Sequence, residues 1–213
     1  MIVGMEVGKR RTFASALGWP GWSRSGRDEE SAIEELVSYE ERYRLGVVRA
    51  GLAFEPDIDH IEVAEHVDGN ATTDFGAPAG IFAWDSGPIE PGEWERTVAI
   101  MRAAWEYLDD VVKGAPTELR KGPRGGGRDR DGVAAHVLAA EVEYRRKLGL
   151  DRYKPELASL EEVMARREEV FAVFLAGGDG RAVTERRWPL RYAARRGAWH
   201  VLDHAWEIED KSS

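Results

Sequence analysis

A chain of 213 residues, 43% hydrophobic and 32% charged, has enough apolar material for a sizeable core under a solvated surface. Its net charge of −9 argues against a protein whose affinity rests on neutralising phosphates, so no nucleic-acid partner is expected. The absence of cysteine excludes disulfides, thiolate metal ligands and cysteine nucleophiles, so a metal site must be built from His, Asp, Glu and water.

The chain opens with "MIVGMEVGKRRTF", which lacks the apolar stretch of a signal peptide, and its longest apolar runs are too short to span a bilayer. A cytoplasmic protein with no membrane partner is expected. Residues 1–90 read as a small α/β unit. "KRRTFASALGWPGWSRSG" (9–26) contains strand-like stretches broken by glycines and the "WPGW" turn. "RDEESAIEELVSYEERYRLGV" (27–47) predicts one helix, with Asp28 as N-cap and Ala32, Ile33, Leu36, Val37 and Tyr43 near helical spacing. Strands are then expected in "GVVRAGLAF" (46–54), "HIEVAEHV" (60–67) and "AGIFAWDSG" (79–87).

The apolar period changes at Pro91, a residue tolerated in a first helical turn. Trp94, Val98, Met101, Trp105, Leu108 and Val112 form a stripe at three- and four-residue steps. A basic glycine-rich connection, "RKGPRGGGRDRDG" (120–132), follows and is expected to be the most mobile internal segment. Further helices are predicted in "DGVAAHVLAAEVEYRRKLGL" (131–150), "SLEEVMARREEVFAVFLAGG" (159–178) and "RYAARRGAWHVLDHAWEIED" (191–210). The helix at 159–178 opens with Ser159 and Glu162 as a capping box and ends at Gly177 and Gly178. Four such helices suffice for a four-helix bundle, which can hold a metal between facing helices. The expected fold class is thus α+β, with units at 1–90 and 91–213.

His200 and His204 are four residues apart, the spacing that stacks two side chains on one helix face. They are either metal ligands or polar residues on a solvated helix. If they are ligands, a third should come from another helix. His136 fits, because Val133, Val137 and Ala140 around it lie at core spacing. Three imidazoles and a water would make an open coordination sphere. His60 and His66 lie in the first half, away from this helical context.

"DGVAAHVLAAEVEYRR" and "RRGAWHVLDHAWEIED" resemble the second and fourth helices of the DinB/YfiT-like metalloprotein superfamily, the latter through its His-x-x-x-His pair. The resemblance covers about residues 91–211. It implies an up-down four-helix bundle in which His136, His200 and His204 bind a divalent metal, zinc or nickel. It further implies a metal-dependent enzyme acting on a small-molecule substrate. Superfamily members with assigned activities include thiol S-transferases and an isomerase that use a low-molecular-weight thiol. A thiol-dependent S-transferase or a hydrolase is therefore expected, and a homodimer is left open. "FASALGWPGWSRSGRDEESAIEELVSYEERY" (13–43) is similar to HicB-like folds, which implies an accessory α/β domain at 1–90. The alternative to an enzyme is a binding module with a structural metal, its HicB-like domain contacting a protein partner.

Other residues carry two readings each. Glu141, Glu143, Asp203 and Glu207 are solvated carboxylates, or one of them orients an imidazole or acts as a base. Arg120, Lys121, Arg124, Arg128 and Arg130 make a solvated connection, or they draw an anionic substrate towards the metal. The tryptophans, Trp19, Trp22, Trp94, Trp105, Trp199 and Trp206 among them, read as core and interface anchors.

Overall fold

The computed structural model describes residues 1–122, 126–177 and 187–212. Arg124 at the centre of the Arg/Gly connection, and Gly178 at the expected helix end, lie outside the described residues. The chain is α+β: a four-stranded sheet near the N-terminus, then helices. Strands β1 (Ile2–Val7), β2 (Thr12–Ala16), β3 (Ser23–Gly26) and β4 (Glu62–Asp68) lie in the order β3-β2-β1-β4. The pairings of β2 with β1 and β3 are antiparallel, and β4 joins β1 in parallel.

β1 occupies the middle of the sheet, although no strand is expected there from the sequence. Val3, Gly4, Met5 and Glu6 are all buried, so the strand shows no alternation of apolar and polar residues. Val3 and Met5 join Ala14, Ala16, Ala32 and Leu36 in the core. A Cβ at Gly4 would come within 2.8 Å of the Phe82 ring, so only a glycine lets that ring lie so close to the strand. The buried Glu6 carboxylate accepts hydrogen bonds from the Thr73 hydroxyl and from Ala79 N–H, the latter at 2.9 and 3.0 Å.

The expected single helix at 27–47 is two helices, α1 (Glu29–Ser38) and α2 (Glu40–Arg49). Asp28 caps the first by accepting from Ser31 N–H at 2.9 Å. The helix breaks at Tyr39, whose ring packs 5.1 Å from Trp206, while Tyr43 stacks on Trp22 at 5.2 Å. Two aromatic anchors on different partners take precedence over one straight helix. Two expected strands are also corrected. Residues 46–49 of "GVVRAGLAF" finish α2, where Gly46 and Val47 are buried on the helix. "AGIFAWDSG" holds a 3-10 turn, Ala83–Ser86, which follows the short helix α3 (Ala71–Phe75). That segment is tied by side chains rather than by a ladder: Arg191 donates to Trp84 O at 2.6 Å, and Arg195 binds the Asp85 carboxylate at 2.7 and 3.2 Å and Gly80 O at 3.0 Å.

Four longer helices follow: α4 (Pro91–Gly114), α5 (Arg130–Leu148), α6 (Leu160–Ala176) and α7 (Leu190–Ser212). Pro91 sits in the first turn of α4. Ser159 accepts from Glu162 N–H at 3.1 Å, the half of the expected capping box that is present. α7 is the central element, with every residue from Leu190 to Leu202 buried. It packs against both α4 and α5. One apolar cluster joins sheet residues such as Val3 and Ala14 to Met101 and Leu108 of α4 and Leu202 and Ile208 of α7. Among the described residues, no helix is long and apolar enough to cross a membrane.

Candidate metal centre

α7 and α5 bring the three expected histidines together. On α5, Val133 and Val137 are fully buried and turn the same side of the helix, with His136 beside them, onto α7. His200 and His204 follow one another along α7, their rings 4.6 Å apart between centroids. The His136 ring lies 5.3 Å from that of His200 and 4.9 Å from that of His204. One ring nitrogen from each histidine falls within 4.8 Å of the others. Nitrogens around a tetrahedral zinc sit about 3.4 Å apart. Closing the triad on an ion would draw these nitrogens together by up to about 1.4 Å.

The donor chemistry suits a cation. His200 is 7% exposed, and its burial, with the charges of His204 and Arg196 nearby, pushes its pKa down to about 2. Burial and the neighbouring His204 and Arg128 also lower His136. Both rings are therefore neutral at pH 7, with lone pairs free. His204 is oriented by Glu207, whose carboxylate oxygen lies 2.7 Å from Nδ1 and leaves Nε2 for a metal. Lys211 holds the other oxygen of that carboxylate. The hydrogen bond from His204 is the main reason the Glu207 pKa falls to about 2.

Of the four carboxylates singled out in the sequence, Glu207 is the one that meets an imidazole of the triad. Glu141 is buried in an ion pair with Arg167 at 3.0 Å, Glu143 pairs with Arg146 and Arg152, and Asp203 binds Arg24 at 2.7 Å. His60 and His66 lie outside the triad, on Asp57 at 3.0 Å and Glu29 at 3.2 Å, and both are exposed. Trp199 packs edge-on to Phe13 of β2 at 6.1 Å, with its ring centroid 6.2 Å from that of His200.

Two residues beside the triad were not singled out from the sequence. Tyr144 packs its ring 5.7 Å from that of His200, and burial raises its pKa. Arg196 lies one turn before His200, between the rings of Tyr144 and Trp199, with Cζ at 5.6 and 4.6 Å from their centroids. The signals were present: Tyr144 is eight residues after His136 and Arg196 four before His200, both same-face spacings. Behind His200 runs a small, partly open cavity of about 20 Å³ bordered by Tyr144, Met101, Trp105 and Gly197, with room for about one water.

No family model, no curated protein and no solved structure matches this chain. Its function is therefore read from the site alone.

Proposed function

We propose that this chain is a metal-dependent enzyme in which His136, His200 and His204 hold one divalent ion, zinc or nickel. In the same reading α4–α7 form an up-down bundle of the DinB/YfiT-like type, and residues 1–90 are a HicB-like accessory domain. The observation that carries it is the convergence of three ring nitrogens from two helices within 4.8 Å. Three imidazoles leave at least one coordination position for water or substrate, the mark of a catalytic rather than a structural site.

A bound divalent ion supplies Lewis acidity and brings the pKa of a water or thiol ligand towards neutrality. The chain's own residues prepare the site. Glu207 fixes the tautomer and tilt of His204. Burial keeps His200 unprotonated, and the Tyr144 ring covers one side of it. The chain has no cysteine, so in an S-transfer the thiol comes from a small molecule in solution. Hydrolysis is the other reaction class this donor set serves.

The test is elemental analysis of protein purified without added metal, with anomalous scattering from crystals of the same preparation. The reading expects one zinc or nickel per chain on His136, His200 and His204. A chain that binds neither metal, even after dialysis against each, overturns it. Turnover of a thiol–electrophile pair, or of an ester or amide, then separates the two reaction classes. A metal-loaded chain without turnover that holds a protein partner points instead to a binding module.

A further inference from the structure

Five arginines are buried among the described residues: Arg145, Arg167, Arg191, Arg195 and Arg196. Four have a carboxylate. Arg145 pairs with Glu169, Arg167 with Glu141 and Asp109, Arg191 with Glu93, and Arg195 with Asp85. Arg196 is 8% exposed and, among the described residues, has neither a carboxylate nor a carbonyl partner; its Nη1 is buried without an acceptor there. The neighbouring Trp199 Nε1 is buried without an acceptor as well. An uncompensated buried charge is among the costliest features a fold can carry. The rings of Tyr144 and Trp199 flank the guanidinium and offset part of that cost, but they accept no N–H in the guanidinium plane.

Position gives these open donors a purpose. Arg196 and His200 are four apart on α7, so their side chains leave the helix about 6 Å from each other on one face. Tyr144 touches both.

We propose that Arg196 anchors a carboxylate of the substrate beside the His136, His200 and His204 triad, so that the enzyme acts on a small anionic molecule. This rests on the metal-site reading above and adds the substrate class to it. Arg196 binds and positions; a planar carboxylate takes two N–H donors of the guanidinium fork.

The test uses the full chain, with succinate as the anionic probe and succinamide as its neutral counterpart, at constant ionic strength. The Nε–H resonance of Arg196 is identified by its loss in whichever of Arg196→Met and Arg196→Lys folds. In the metal-free chain that resonance is expected to shift saturably with succinate and to ignore succinamide. Zinc loading should tighten succinate binding, and His136→Ala should remove the tightening while leaving the Arg196 shift. Arg196→Met should weaken succinate binding about tenfold or more, with zinc stoichiometry unchanged. Its Tm without ligand should fall by no more than about 3 °C, because the residue lost had no ion pair. Loss of zinc binding with the Arg196 shift intact would sink the metal site alone. Stoichiometric zinc with an Arg196 resonance indifferent to succinate overturns the anion anchor.

Discussion

Glu207 Oε2 lies 2.7 Å from Nδ1 of His204, three residues earlier on the same helix. This one contact fixes the tautomer and tilt of a helical histidine. It also separates Glu207 from Asp203, which adjoins His204 in sequence but faces Arg24. Replacing Glu207 with Gln should weaken zinc binding by roughly 10- to 100-fold in chelator competition. Asp203→Asn should leave it unchanged, and equal losses in the two variants would refute the assigned role.

Each member of the triad should be indispensable to stoichiometric metal. His136→Ala, His200→Ala and His204→Ala are expected to lose zinc or nickel after gel filtration. His60→Ala and His66→Ala should retain it, since their rings face Asp57 and Glu29. Retention of full metal content by His136→Ala would show that the ligand set is wrong.

Burial of His200 has a pH signature in the metal-free chain. Its folded pKa, pushed down to about 2, lies below the ordinary histidine value of about 6.5. The unfolded chain therefore binds a proton that the folded chain refuses, and stability falls as pH drops below about 6.5 towards 2. One proton contributes a slope of at most about 1.4 kcal/mol per pH unit. Urea unfolding between these limits should show a shallower slope in His200→Asn than in the wild type. Parallel slopes would mean that His200 titrates normally.

The Arg195–Asp85 pair, buried at both ends, ties α7 to the 3-10 turn. Asp85→Asn or Arg195→Met should each cost about 3–5 kcal/mol by chemical denaturation, because each leaves an uncompensated polar partner. The double substitution should cost less than the sum of the two. Simple additivity would show that the pair is not coupled.

Gly21, at φ +93, lies against α7, where an added Cβ would come within 2.9 Å of Ala198 Cβ. Gly21→Ala meets both a left-handed backbone and a close neighbour, and should destabilise by about 1–3 kcal/mol. The expected readout is a lower Tm with zinc stoichiometry unchanged. A wild-type Tm would show that the turn can move off α7.

The sequence by itself determined the elements whose causes are local. The stripe from Trp94 to Leu108, the proline opening α4, the Asp28 and Ser159 caps, and the i, i+4 pair His200/His204 are read from spacing along one helix. His136 followed from its place beside Val133 and Val137. Only the tertiary structure decided features whose causes lie across the chain. β1 has no period because both its faces are covered by distant segments, so its pattern resembles no amphipathic template. The 79–87 segment is a turn because two arginines over a hundred residues later grip its carbonyls and Asp85. Four helical carboxylates looked alike in sequence; rotamers and neighbours sent three to arginines and one to His204. Arg196 reads in the sequence as one more charge in "AARRGAW", and it is packing that buries it beside the triad without an anion among the described residues.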